Sequence, residues 1–252
     1  MISVTILTQN SARHLNRVLQ ALSSFKEVLI YDNGSTDETL DIARRFPNVK
    51  IEKGPFLGFG ETHNLASGLA KHDWILSIDS DEVATAALVN EIRQLQLDLQ
   101  TVYSFPRHNF YRGKWIRWCG WYPDRVIRLY NRRNTRFTDA KVHEGVKTEG
   151  MQVAPLQSSV KHYPYETVHD FLTKMQTYSS LFAAQNRGKK RSSPWKALVH
   201  GAAAFWKSYL IKRGFLGGYE GFLISAYNGH TAFYKYLKLY EENRISLVSN
   251  EP

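Results

Sequence analysis

Four short apolar runs near the start of the chain alternate with longer amphipathic stretches, and this alternation constrains the fold more than any other feature. Residues 2–7, 27–31, 49–52 and 74–78 each carry the bias of a buried strand. Helix-length segments separate them, the third preceded by a flexible loop holding Gly54, Gly58 and Gly60. Strand and helix alternating in this way predict an α/β fold, Rossmann-like, with a parallel sheet flanked by helices. Open sheets of that kind bind ligands outside the carboxyl ends of their strands.

The residues at those ends therefore carry most of the functional information. The first run is followed by Thr8-Gln9-Asn10-Ser11, the second by Asp32-Asn33-Gly34-Ser35-Thr36-Asp37 and the fourth by Asp79-Ser80-Asp81-Glu82. Ser11 is expected to cap a helix reaching about Leu22. Ser35 and Glu38 are expected to form a capping box for a helix to about Phe46. The last cluster holds three carboxylates within four residues. Adjacent carboxylates repel, so a cation is their natural partner, and oxygen-only ligation suits Mg2+ or Mn2+ shared with substrate phosphates. An acidic helix start is the alternative that these residues leave open. Glu82 fits it best, opening a helix from about Ala84 to Leu97.

After Thr101 the pattern changes. Aromatic and basic residues interleave from Tyr103 to Arg112 and again from Trp115 to Trp121, and 126–130 alternates like a strand. A mixed, partly antiparallel second half follows from this. Beyond Glu166 the reading is helical, over about 166–186, 195–212 and 219–243.

Charge is equally uneven. Of the 33 Lys and Arg that give the chain its net +10, nine lie between Phe171 and Tyr219 with no Asp or Glu among them, leaving 24 basic against 23 acidic residues elsewhere. Trp195, Phe205, Trp206, Tyr209 and Phe215 share that stretch. Basic, aromatic, amphipathic helices suit an anionic membrane surface. A nucleic-acid-binding module is the alternative from a different class. The acidic strand ends would repel phosphates, so nucleic acid is not the expected partner. The single cysteine, Cys119, excludes an intrachain disulfide and fits a reducing compartment. No apolar run approaches a membrane span, and the first residues lack a signal peptide's basic segment. A cytoplasmic protein with peripheral membrane contact is expected.

Taken together, the three polar and acidic strand ends resemble those of the family 2 glycosyltransferases, an inverting family with a GT-A fold. The resemblance covers the N-terminal 100 residues well. A lone D-x-D is common, whereas one after a strand, some 45 residues beyond D-N-G-S-T-D, is specific. It implies a nucleotide-sugar donor held by Thr8, Gln9, Asn10, Asp32, Asn33, Ser35, Asp79 and Ser80, with Asp32 at the nucleobase. It further implies Mn2+ or Mg2+ on Asp81 and Asp79, where the cation would neutralise the departing nucleoside diphosphate.

Lys141-Val142-His143-Glu144 and Gly120-Trp121-Tyr122-Pro123-Asp124-Arg125, followed by Arg128-Leu129-Tyr130, resemble a subgroup that adds sugars to the bacterial lipopolysaccharide core, including β-1,4-glucosyltransferases acting on heptose. This implies Glu144 as general base, Asp124 as its rival, and His143 at the diphosphate as a further metal ligand. Trp121, Arg125 and Arg128 become acceptor-binding residues. UDP-glucose becomes the donor, and a lipid-anchored phosphorylated saccharide at the inner face of the cytoplasmic membrane the acceptor. Another envelope polysaccharide or a lipid phosphate is the alternative acceptor. The Glu-Asp pair and Gln-x-x-Arg-Trp of the most familiar family members are absent. The expected organisation is a GT-A catalytic domain over 1–165, its nucleotide half about 1–100 and its acceptor half about 101–165, with a helical extension over 166–252.

Overall fold

A computed structural model describes residues 1–138 and 145–248. The chain forms two compact units, one of residues 1–108 and 124–163, the other of 109–123 and 164–252.

The first unit opens with β1 (Ile2–Thr8), α1 (Ala12–Ala21), β2 (Val28–Asp32), α2 (Thr39–Ala43), β3 (Val49–Lys53), α3 (Phe59–Leu69) and β4 (Trp74–Ser77). β5 (Glu82–Ala84), α4 (Ala86–Gln94) and the long β6 (Thr101–Tyr111) follow. β1 lies between β2 and β4 and is parallel to both. All five residues of β2 are buried. Val28 and Ile30 face a core with Leu15, Val18 and Leu19 of α1, while Leu29 and Tyr31 face a second core with Ala66 of α3 and Ala70 just beyond it. A strand covered on both faces must be apolar throughout, which is why these runs were legible. In α1 the buried residues His14, Leu15, Val18 and Leu19 make one stripe.

Beyond the parallel strands the sheet turns mixed. β7 (Lys114–Trp115) pairs with the far end of β6, and β8 (Arg125–Asn131) runs antiparallel to both β4 and β6. β9 (Gln152–Pro155) is parallel to β6, and β10 (Val160–Tyr165) is antiparallel to β5. The main path reads β3-β2-β1-β4-β8-β6-β10-β5.

Three local expectations are corrected. Ser11 makes no side-chain cap on α1; its hydroxyl reaches Ser80 Oγ at 2.9 Å. Ser35 makes no capping box: α2 begins only at Thr39, four residues on, and the Ser35 hydroxyl turns back to Asp32. Glu82 does not open a helix: it lies in β5, fully buried, and Thr85 caps α4 instead.

The second unit is helical, with α5 (Val168–Asn186), α6 (Pro194–Trp206) and α7 (Gly218–Val248). Thr167 and Asp170 form a reciprocal capping box on α5, and Ser193 caps α6 ahead of Pro194. A π-helical turn (Lys207–Ile211) and a short 3-10 turn (Gly214–Gly217) join α6 to α7, with Arg213 left-handed between them at φ 54°. The two helices touch backbone to backbone at Gly201 and Gly229, where an added Cβ would meet the opposite carbonyl at 3.2 and 3.1 Å. Tyr111, Ile116 and Cys119 of the 109–123 segment share a core with Phe171 and Ile224. Among the described residues no helix is long and apolar enough to cross a membrane.

Candidate active site

Parallel pairing of β1 with β2 and β4 sets their carboxyl ends side by side. Thr8 is the register partner of Asp32, and Ile78 N–H bonds the Thr5 carbonyl just before the acidic cluster. The first turn is then locked to the second. Thr8 Oγ1 donates to Asp32 Oδ1 at 3.1 Å, Asn10 N–H to Ser35 Oγ at 3.0 Å and Thr36 N–H to Asn10 Oδ1 at 2.8 Å. Asn10 holds a left-handed φ of 51°, a conformation asparagine tolerates better than most residues. Gln9 Nε2 approaches the Asn33 carbonyl at 3.5 Å, while Asn33 Nδ2 donates to the Gly54 carbonyl at 3.1 Å. Ser11 links this turn to Ser80. Residues expected at one nucleotide site are thus joined by hydrogen bonds among themselves.

Asp32 is 1% exposed. Burial works to raise its pKa, but the Ser35 hydroxyl and N–H, the Thr8 hydroxyl and the Gly34 N–H outweigh it and hold the group below the usual carboxylate range. It stays an anion, each carboxylate oxygen accepting two hydrogen bonds. A cleft of about 840 Å3 is lined by Tyr31, Lys53, Gly54, Asn64 and Arg136.

The D-x-D segment sits in a charge network that sequence reasoning missed. Arg128, 7% exposed, donates from Nη2 to Asp79 Oδ2 at 2.7 Å. Arg107 bonds Asp124 Oδ2 through Nε at 2.8 Å and Glu82 Oε1 through Nη1 at 3.3 Å, and approaches Asp79 at 3.9 Å. Glu82 Oε2 accepts the Asp79 N–H at 3.1 Å. Burial and then the Asp79 charge push the Glu82 pKa up; for Asp79, burial is overcome chiefly by Arg128 and the pKa falls. His63 stacks on Phe137 with ring centroids 4.4 Å apart, and burial drives its pKa down to about 4, so it is neutral at pH 7. Asp81 faces His162 of β10, Oδ1 to Nε2 at 3.5 Å.

Other predicted residues have different surroundings. Arg125 Nη2 donates to the Ser104 and Leu156 carbonyls, and Arg128 is engaged with Asp79. Trp121, in the second unit, stacks on Tyr165 at 5.7 Å between centroids. His143 and Glu144 lie outside the described residues. Glu82 was legible only as an acid after a strand; Arg107 stood out as a basic residue among aromatics, but its carboxylate partners, like the partner of His162, are distant in sequence. No three His, Cys, Asp or Glu side chains converge as a cation cage among the described residues.

The sequence profile described as Glycosyl transferase family 2 matches residues 3–152. The chain belongs to glycosyltransferase family 2. The match spans β1 to the start of β9 and includes every strand end discussed above. Relatives align over nearly the whole chain. An uncharacterized glycosyltransferase of Rickettsia typhi is 27% identical over 98% of this chain and 88% of its own length. The lipopolysaccharide core biosynthesis glycosyltransferase LpsC of Rhizobium meliloti is 23% identical over 99% and 95%. A solved mannosyltransferase from Pyrobaculum calidifontis, in complex with GDP-Man and Mn2+, superposes with a TM-score of 0.56 at 14% identity, covering 99% of this chain and 88% of that one. This glycosyltransferase thus has the GT-A architecture, a mixed α/β sheet flanked by helices.

Proposed function

We propose that this glycosyltransferase transfers a hexose, with inversion and with a divalent cation, from a nucleotide-sugar to a sugar of a lipid-anchored lipopolysaccharide precursor. The donor is UDP-glucose and the acceptor an inner-core heptose, reached at the inner face of the cytoplasmic membrane. The single observation that carries the reading is the hydrogen-bonded convergence of Thr8, Asn10, Asp32, Ser35 and Ser80 beside Asp79 and Asp81. LpsC, active in lipopolysaccharide core biosynthesis by its name, supports the acceptor class.

In this mechanism Asp32 lies at the nucleobase, ordered by Thr8, Gly34 and Ser35. Asp81 would hold Mn2+ or Mg2+ with Asp79 and His143, and the cation would supply positive charge to offset the departing nucleoside diphosphate. Arg128 and Glu82 fix Asp79 from its side chain and its backbone N–H respectively. Glu144 takes the acceptor hydroxyl proton as that oxygen attacks the anomeric carbon in line. Asp124 is the rival base, and its ion pair with Arg107 favours Glu144 over it. Trp121, Arg125 and Arg128 were assigned to the acceptor; the partners of Arg125 and Arg128 favour positioning roles instead.

The test is a donor screen with purified full-length protein, following nucleoside diphosphate release with and without Mn2+ and Mg2+. Cation-dependent release from UDP-glucose, abolished by Asp81→Ala, is expected. Release that survives both chelation and Asp81→Ala would overturn the metal assignment, and preference for another nucleotide-sugar would overturn the donor.

A further inference from the structure

The turn between α6 and α7 presents apolar side chains outward where a water-facing helical hairpin would hide them. Ile211 is 76% exposed, and Trp206, Leu210, Phe215, Leu216 and Phe222 are each about half exposed. Lys207, Lys212 and Arg213, all exposed, are interleaved with them. The nearest acid, Glu220, is already paired with Lys114 at 2.7 Å.

The backbone holds this tip firmly. A Cβ on Gly221 would run into the Gly214 carbonyl, so the 3-10 turn lies directly against α7. Ser208 is buried and takes hydrogen bonds from Ser225 at 3.1 Å and Asn228 at 3.0 Å. Cys119 N–H bonds the Lys212 carbonyl at 3.0 Å, and Trp118 closes over Gly217. Small and polar residues pin the inner side of the turn, which leaves its large apolar residues no inward place to collapse.

We infer that this tip, residues 206–222, is a wedge that enters the headgroup boundary of an anionic bilayer. The inference deepens the reading of a lipid-anchored acceptor by assigning the segment that makes contact. Charge selects the occupant. A second copy docking on this face would bring Lys207, Lys212 and Arg213 against their own counterparts while Glu220, the acid within the segment, is engaged by Lys114, whereas an anionic surface attracts all three. The apolar residues would then sit about 5–10 Å into the interface, with the cations at headgroup level.

The test is co-sedimentation of the full-length protein with vesicles of phosphatidylcholine alone or with about one-third phosphatidylglycerol. Wild type is expected to pellet strongly only with the anionic vesicles. Reversing the three cations (K207E, K212E and R213E together) should weaken that binding at least a hundredfold, at roughly 1 kcal/mol per charge. Leu210→Asp with Ile211→Asp should weaken it comparably while leaving the cations in place. Thermal unfolding and soluble donor hydrolysis serve as fold controls and are expected to stay unchanged. Wild-type binding that is indifferent to lipid charge, or that both variants retain, overturns the inference. So does a concentration-dependent dimer of the wild type that the Asp pair dissolves, which would make the face a self-association surface. Failure of the UDP-glucose screen with vesicle binding intact would instead count against the proposed function alone.

Discussion

Arg128→Met is the substitution whose effect the structure fixes most closely. Methionine keeps much of the aliphatic volume and removes the guanidinium that sits 2.7 Å from Asp79. Breaking a fully buried ion pair by deleting one partner costs about 3–5 kcal/mol, because the other charge is stranded. Here the Asp79 side chain is 31% exposed and Arg107 stands 3.9 Å away, so water and a second cation recover part of the loss. A cost of about 2 kcal/mol at pH 7 follows, or about 4–8 °C in the unfolding transition of the unit that carries it. The pH dependence identifies the cause. In the wild type Arg128 depresses the Asp79 pKa, so its contribution is complete above the unfolded value of about 3.9 and fades as pH falls through the folded value. In the variant Asp79 retains its burial without its main counter-ion, so protonation relieves the penalty earlier. The gap between the two proteins, followed by calorimetry, should be wide at pH 7 and narrow toward pH 4. A gap of equal size at both pH values would show that lost packing, not the charge pair, is responsible, and a gap below about 0.5 kcal/mol would refute the argument altogether.

Glu82→Gln should flatten the acid side of the stability profile: the folded pKa of Glu82 is raised, so the wild type loses stability as pH rises from about 4.3 through that value, and parallel curves for the two proteins would contradict this. Glu144→Gln should lower kcat for transfer by about 10²–10⁴-fold while donor binding, read by calorimetric titration, is retained, and a rate within a few-fold of wild type would move the base elsewhere. Asp124→Asn should remove less than about tenfold from kcat if Asp124 chiefly anchors Arg107, and a larger loss with unchanged stability would make it the base. Gly221→Ala should cost about 1–3 kcal/mol in urea unfolding, since the new methyl meets the Gly214 carbonyl, and an unshifted midpoint would show that the turn yields freely.

What the sequence revealed follows from which forces are local. The runs that became β1 to β4 were legible because burial on both faces demands continuous apolar residues. Asp32, Asp79 and Asp81 were legible because parallel strands deliver their ends to one edge. The capping roles expected of Ser11 and Ser35 failed for a physical reason. A cap must turn its hydroxyl oxygen to the helix N–H groups, whereas Ser11 is turned to Ser80 and Ser35 to Asp32, four residues ahead of the start of α2. Arg128 was expected at the acceptor, and its bond to Asp79 was not legible because that carboxylate lies 49 residues earlier. Glu82 looked like a helix start because nothing nearby announces that Arg107, 25 residues later, will neutralise it. The meeting of His162 and Asp81 rests on the antiparallel register of β10 with β5, a pairing across some 80 residues that no local pattern encodes.

The division of the chain also sets a schedule for its synthesis. The 109–123 segment belongs with residues 164–252, yet the chain returns to the first unit for 124–163 before those residues are made. At a translation rate of about 5–20 residues per second, Cys119 waits roughly 5–20 s for Ile224 to emerge. Throughout that interval Tyr111, Ile116 and Cys119 lack the helices that cover them. The first sheet cannot close either until β10 arrives to take its place between β6 and β5. A nascent chain that has emerged only as far as Tyr165 should therefore carry a finished sheet together with a sticky apolar strap, and be the species that chaperones hold and that aggregation claims first.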